Sequence, residues 1–250
     1  MTNRPLPQKT IGVLGGCSNV ATGEYYRLLN AIANERLGGW DIAETLIASM
    51  NFGNIEAFVR ADDWDGLAVY MDGKVAALAA GGADLLLCVS NTLHRPLEPI
   101  AARHGLDLIH IADPTAAAIK ARGLRRIALF GTRPVMEQDY LAARYRDRHG
   151  IEIVVPDDAE RAEIDKIIFD ELVKNDVREA SRERYYGIAD RLVREEGAQG
   201  VILGCTEIFL LMRQADRPGL PMFDTTRLHC EAAVEAALGQ GESEADRMSA

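Results

Sequence analysis

The sequence predicts an α/β protein of two pseudo-symmetric lobes, each a mostly parallel sheet flanked by helices, with a cleft between them. Three observations predict this. Short apolar runs alternate with segments of helical periodicity along the whole chain, the pattern of parallel strands joined by crossover helices. Two stretches, GADLLLCVSNTLH from Gly82 and GAQGVILGCTEIFLL from Gly197, share one layout: a Gly-Ala turn, an apolar run, then small polar residues. They register Ser90 with Cys205, an offset of 115 residues, and Ile11–Gly15 matches Ile127–Gly131 at 116. Asp113 in IADPTAAAI and Asp224 in FDTTRLHCEAAV form a third pair in the same order. A period this long signals duplicated lobes rather than a solenoid.

The elements run in order. Residues 11–16 are a strand, and CSNVAT opens the first helix, with Ser18 or Asn19 as cap and Tyr25, Leu28 and Leu29 on its apolar face. Gly38-Gly39 ends it. Residues 44–50 read as a strand, Asn54 as the cap of the helix carrying Arg60, and 66–80 as another helix. The SNT strand comes next, then a helix from Leu97, a strand over 106–112 and a helix over 114–122 stopped by Gly123. The second lobe reads as strand 126–131, helix 136–149, strand 151–155 and helix 161–174, whose Ile164, Ile167, Ile168 and Leu172 share a face. Helix 181–196 and the GCTE strand come after it, Pro218, Gly219 and Pro221 punctuate the return, and FDTT precedes a last helix. These elements divide into a first lobe of 1–112 plus 220–240, a second of 113–219, and a polar tail over 241–250 expected to be disordered.

Composition narrows the function. The chain has 250 residues, 48% apolar and 26% charged, with a net charge of -10. That balance argues against nucleic acid, whose phosphates demand a basic face, and against an anionic membrane surface. An anionic small molecule is still allowed, because local charge governs a pocket. No apolar run reaches the roughly 20 residues of a membrane helix, and MTNRPLPQKT lacks a signal-peptide core, so the cytoplasm is expected. The four cysteines form no CxxC pair, which gives a metal site no support. The loop GGCSNVATG fails the dinucleotide fingerprint and lacks the lysine of a P-loop. No cofactor is expected.

Cys88, inside an apolar strand, reads as core filler, whereas Cys205 stands at a strand's carboxyl end beside Thr206 and Glu207. Ligands bind at such ends in open α/β sheets. Placed at a helix start, Cys205 is expected to have a thiol pKa lowered toward neutrality. Asn91, Thr92 and Thr206 can donate hydrogen bonds to a carboxylate. His94 and His229 read as structural.

GVLGG followed by AT and YY, then SNTLH, GTRPVMEQDY, GCTEI and FDTT with a following His resemble the aspartate/glutamate racemase family over about residues 10–238. RLGG, NFGNIE, DDWD, HIAD and ERAEIDKIIFDEL bring the chain nearest to its L-aspartate/glutamate-specific members. The resemblance implies a cofactor-independent enzyme, commonly a homodimer, that moves the α-proton of a dicarboxylic amino acid between two opposed residues. Cys205 matches the second of these; at the first, Ser90 replaces the cysteine that most members carry, and the L-aspartate/glutamate-specific members likewise carry a hydroxyl residue, Thr, there. Cys17 stands where the family usually has Met. The resemblance also assigns substrate contacts to Arg161 and Asn51. A one-cysteine relative, such as a malonate decarboxylase or dicarboxylate isomerase, and a catalytically silent carboxylate-binding protein are the alternatives.

Overall fold

The computed structural model describes residues 6–239. Two four-stranded parallel sheets form its frame. The first runs β2-β1-β3-β4, from β1 (Ile11–Gly15), β2 (Thr45–Ser49), β3 (Leu85–Cys88) and β4 (Asp107–Leu108). The second runs β6-β5-β7-β8, from β5 (Arg126–Phe130), β6 (Glu152–Val154), β7 (Val201–Leu203) and β8 (Met222–Asp224). The two orders are the same topology repeated. In each, strand order reverses beside the first strand, so a crevice opens at the carboxyl ends of β1 and β3 and again at those of β5 and β7.

Helices α1 (Asn19–Leu37), α2 (Phe52–Arg60), α3 (Trp64–Ala80) and α4 (Leu97–Arg103) connect the first sheet. Helix α5 (Ala112–Ala121) leads to the second, which carries α6 (Arg133–Glu137), α7 (Asp139–Ala143), α8 (Asp158–Asp170) and α9 (Glu179–Glu196). The final α10 (Thr225–Leu238) returns to the first lobe: Cys230, Ala233, Val234 and Ala237 pack with Ile11, Val13, Tyr25 and Leu29. Segment 220–240 was expected wholly in the first lobe; its described residues, 220–239, are shared. Its strand β8 pairs with β7 in the second sheet, and its helix covers the first. The tail 241–250 lies outside the described residues.

Four local departures have physical causes. Asn51, not Asn54, caps α2: its side chain accepts from the Gly53 amide. The single helix expected over 136–149 is broken at Gln138, whose backbone is extended, and ends in a π-helical turn over Arg144–Arg148. That geometry lets Arg144 pair with both Asp113 and Glu98 at 2.6 Å. The strand expected over 106–112 shrinks to two residues, because the Asp113 amide turns back to the His110 carbonyl and α5 begins at Ala112. Helix α8 starts three residues earlier than expected, on a capping box between Asp157 and Glu160. It gives way after Asp170 to a 3-10 turn over Leu172–Lys174, closed by left-handed Asn175.

Candidate active site

The crevices of the two sheets face one cavity. Cys17, Ser90, Asn91, Thr92 and Leu93 line it from the first sheet's carboxyl ends, and Thr132, Gly204, Cys205, Thr206 and Glu207 from the second's. Ser90 and Cys205, paired by the sequence repeat, thus share one cavity. The chain can turn this tightly because Gly16 has φ of +90°, where an added Cβ would stand 2.1 Å from the Met50 carbonyl oxygen.

The SNT turn is anchored on both sides. Ser90 Oγ accepts from the Leu93 amide at 3.3 Å, and the Ser90 carbonyl accepts from His94 Nδ1 at 2.7 Å. Thr92 and Thr132 hydroxyls meet at 3.0 Å across the lobes, and Tyr140 OH donates to the Asn91 carbonyl at 3.0 Å. Thr225 Oγ1 donates its hydrogen to the Leu203 carbonyl, so it accepts from Asn91 Nδ2 at 3.2 Å. This fixes the Asn91 amide and leaves its buried Oδ1 without a hydrogen-bond partner. Such an acceptor carries a desolvation cost until a donor reaches it.

Behind Cys205 stands Glu207, 1% exposed. Its Oε2 accepts from Cys205 Sγ at 3.1 Å and Thr206 Oγ1 at 2.9 Å, while its Oε1 accepts from Ser18 Oγ at 2.5 Å. Burial, and then the Glu207 charge, push the Cys205 thiol pKa well up. The expected lowering fails for a structural reason. Beyond Cys205 the chain makes only a three-residue 3-10 turn, Ile208–Leu210, with no macrodipole of a full helix to favour a thiolate. Cys205 rests as a thiol with its proton aimed at a carboxylate.

On the other lobe the Cys17 thiol is also pushed well up, by the adjacent Cys88 thiol first, then by burial and Glu207. Three buried histidines, His94, His110 and His229, form a cluster beneath the SNT turn. His94 donates from Nδ1 to Ser90 and accepts at Nε2 from the Ile111 amide; His229 donates from Nε2 to Ile109 and accepts at Nδ1 from Tyr25. Both rings are therefore held as neutral scaffolding. Among the described residues no group of histidines, cysteines and carboxylates is placed to hold a metal, and no helix is long and apolar enough to cross a membrane.

The far wall of the cavity is apolar: Phe52, Ile55 and Val59 of α2 meet Ile168, Phe169 and Val173, and Phe52 stacks on Phe169 at 6.4 Å. Glu56 is the one further ionisable group there, and it pairs with Arg60 at 2.9 Å. The Arg60 guanidinium lies 5.9 Å from the Phe169 ring centre. The two residues assigned by resemblance to substrate carboxylates are elsewhere. Asn51 uses its side chain to cap α2. Arg161 is held by the Pro156 carbonyl at 2.7 Å, Asp158 at 3.0 Å and Glu137 at 3.4 Å. Neither lines the cavity. Glu207, Cys17, Thr132 and the Glu56–Arg60 pair were not anticipated as site residues. The repeat held a signal for one of them: it aligns Gly15 with Gly131, and so makes Thr132 the second lobe's counterpart of Gly16, at the start of the loop that carries Cys17 in the first.

The sequence matches the Asp/Glu/Hydantoin racemase family over residues 13–233. Solved structures resemble it throughout. A provisionally assigned Asp/Glu racemase from Yersinia pestis is 38% identical, with a TM-score of 0.84, over 92% of this chain and 100% of that one. An aspartate racemase homologue from Pyrococcus horikoshii OT3 is 31% identical, with a TM-score of 0.78, over 91% and 98%. Glutamate racemase from Francisella tularensis, solved with D-glutamate, shares the fold at 12% identity and a TM-score of 0.65, over 90% and 79%.

Proposed function

The chain belongs to the Asp/Glu/hydantoin racemase family, and we propose that it is a cofactor-independent racemase of aspartate or glutamate, with Cys205 as one of two opposed proton carriers. The observation that carries this reading is the 3.1 Å contact from Cys205 Sγ to buried Glu207, in a cavity that Ser90 lines from the opposite lobe.

The α-proton of an amino acid is a very weak acid, so its removal needs a strong base and a stabilised carbanion. Glu207 takes the Cys205 proton, and the resulting thiolate takes the α-hydrogen: an S–H bond forms as the Cα–H bond breaks. The electron pair passes into the α-carboxylate, where the Thr92–Thr132 hydroxyl pair, with one hydrogen left to donate, and nearby backbone N–H groups stabilise it. A donor on the first lobe then protonates the opposite face; on the residue pairing of the repeat this is a water held by Ser90 or Ser90 relaying from water, and the hydroxide left behind takes back the proton that Glu207 received. Asn91 Oδ1, buried and unpartnered, suits the substrate ammonium.

The acidic side chain is carried over from the relatives' names. Arg60 lies over Phe169 of the apolar wall, and its partner Glu56 lines the cavity. A substrate carboxylate that displaced Glu56 would gain that guanidinium in a charge-assisted pair. A cytoplasmic homodimer completes the reading, and size-exclusion chromatography with light scattering checks the assembly. Chiral chromatography of L- and D-aspartate and L- and D-glutamate incubated with the protein tests the function. Interconversion of a pair supports it; no interconversion, or carbon dioxide release from a substituted malonate, overturns it.

A further inference from the structure

We propose that the second lobe holds a second ligand site, separate from the cavity of Cys205, that binds an organic carboxylate with an apolar body. The proposal goes beyond the racemase reading and does not depend on it.

The site is a cavity of about 440 Å³ beside the edge strand β8. Its apolar lining comes from Leu203 at the end of β7, Met222 and Phe223 of β8, Leu228 of α10, and Phe209 and Met212 after Cys205. That volume suits a small molecule, and methionine adapts to varied apolar shapes. No residue lines both this cavity and the one that holds Cys205.

The repeat marks this corner as the place where the lobes diverge. The chain takes as many residues from Ser90 to Asp107 as from Cys205 to Met222. In the first lobe the stretch forms α4, whose Leu97, Ile100 and Ala101 pack into the core. In the second it forms turns held by Gln214, which donates to the Arg217 and Leu220 carbonyls at 3.1 and 3.0 Å and accepts from the Met222 amide at 2.9 Å.

Charge diverges at the same place. At the 115-residue offset Leu97 falls on Met212, both buried, and Glu98 falls on Arg213. Glu98 is answered by Arg144 at 2.6 Å and Arg148 at 3.4 Å. Arg213 lines the cavity with no acidic partner among the described residues, and its amide is held by Tyr186 OH at 3.2 Å. Arg122, just past α5, lines it in the same condition, its guanidinium 5.5 Å from the Phe223 ring centre. The two carboxylates of the lining are engaged. Asp224 accepts from the Thr226 and Arg227 amides at 3.0 and 3.1 Å, and Glu231 pairs with Arg227 at 2.8 Å. Acidic residues outnumber basic ones 38 to 28 in this chain, so two guanidiniums without a carboxylate beside an apolar lining point to an anion from outside. The planar guanidinium fork matches a carboxylate.

The test is isothermal titration calorimetry of the whole protein with indole-3-acetate as the probe, alongside acetate and neutral indole-3-ethanol. Indole-3-acetate is expected to bind, and Arg122→Ala and Arg213→Ala each to weaken it about tenfold, the scale of a lost hydrogen bond to a charged group. Ala118→Trp, which puts a large side chain into the lining, should abolish binding. Acetate lacks the apolar body and indole-3-ethanol the charge, so each should bind at least about tenfold more weakly than indole-3-acetate. Arg36→Ala, at an exposed arginine of α1 outside the cavity, should bind as wild type does. Circular dichroism checks that every variant is folded. The proposal is overturned if indole-3-acetate does not bind, if folded Arg122→Ala and Arg213→Ala bind it as tightly as wild type, or if indole-3-ethanol binds equally well. An equal loss in Arg36→Ala would overturn it as an effect of net charge alone. Displacement of the probe by excess aspartate or glutamate would put it in the cavity of Cys205 and overturn it too.

Discussion

Ser18 of the first lobe donates a 2.5 Å hydrogen bond to Glu207 of the second, across 189 residues of sequence. The same carboxylate receives the Cys205 thiol, so one acidic side chain joins the two lobes and faces the proposed proton carrier. This contact gives Glu207 two separable duties, to hold the loop and to accept a proton.

Glu207→Gln separates them. The amide keeps a hydrogen-bond acceptor for Ser18 but cannot take the thiol proton. Turnover is expected to fall by about 10²–10⁴-fold with little change in melting temperature, measured by chiral assay and calorimetry. Ser18→Ala should cost far less turnover. Full activity in Glu207→Gln would show that Cys205 is activated in some other way.

Arg60 is 73% exposed and its pair with Glu56 contributes little to stability. Arg60→Met should therefore leave the melting temperature within a few degrees of wild type. If the guanidinium receives the substrate's distal carboxylate, KM for aspartate or glutamate should rise about tenfold. An unchanged KM in steady-state kinetics would place the distal carboxylate elsewhere.

The histidine cluster makes a pH prediction. Burial holds His110 down to about 2 and His229 to about 3, and His94 is lowered well below its ordinary value, again by burial. Above the unfolded value of about 6.5 all three are neutral in both states, and their contribution is fully present. As pH falls below about 6.5 the unfolded chain binds protons that the folded chain refuses. Stability is then lost by up to about 1.4 kcal/mol per pH unit per histidine, toward the folded values. Between pH 6.5 and 5 most carboxylates stay ionised, so melts in that window weigh chiefly the histidines. A melting temperature that stays flat or rises on acidification there would contradict the neutral tautomers.

Gly16→Ala meets backbone rather than a flexible side chain: the new Cβ would lie 2.1 Å from Met50 O and 2.4 Å from Met50 N. With φ at +90° as well, the variant should lose about 2–4 kcal/mol in chemical denaturation. A loss under about 1 kcal/mol would mean that the loop relaxes freely.

The fold was legible where burial leaves long apolar runs. β1, β3, β5 and β7 are sheet interiors, and the repeat placed Ser90 and Cys205 at equivalent ends before any contact was known. β4 and β8 were poorly legible because they are short edge strands, without the fully buried run of the interior strands. The environment of Cys205 was not legible at all. Its pKa depends on burial and on Glu207, and the length of the turn after it decides whether a helix dipole exists. Asn51 and Arg161 have residue types suited to a carboxylate, but a local amide and the Pro156 carbonyl claim them first. Partners so far apart in sequence as Ser18 and Glu207 leave no local pattern to read.

Deuterium incorporation at the α-carbon tests the central claim most directly. Wild-type protein and Cys205→Ala are incubated in heavy water with L- and with D-aspartate, and with both glutamates, and the α-proton signal is followed by NMR. The account predicts that wild type washes deuterium into both enantiomers of one pair, and that Cys205→Ala, folded by circular dichroism, incorporates at least about 100-fold more slowly. Near-wild-type incorporation by Cys205→Ala would contradict it, and would make the thiol part of the structure rather than of the chemistry.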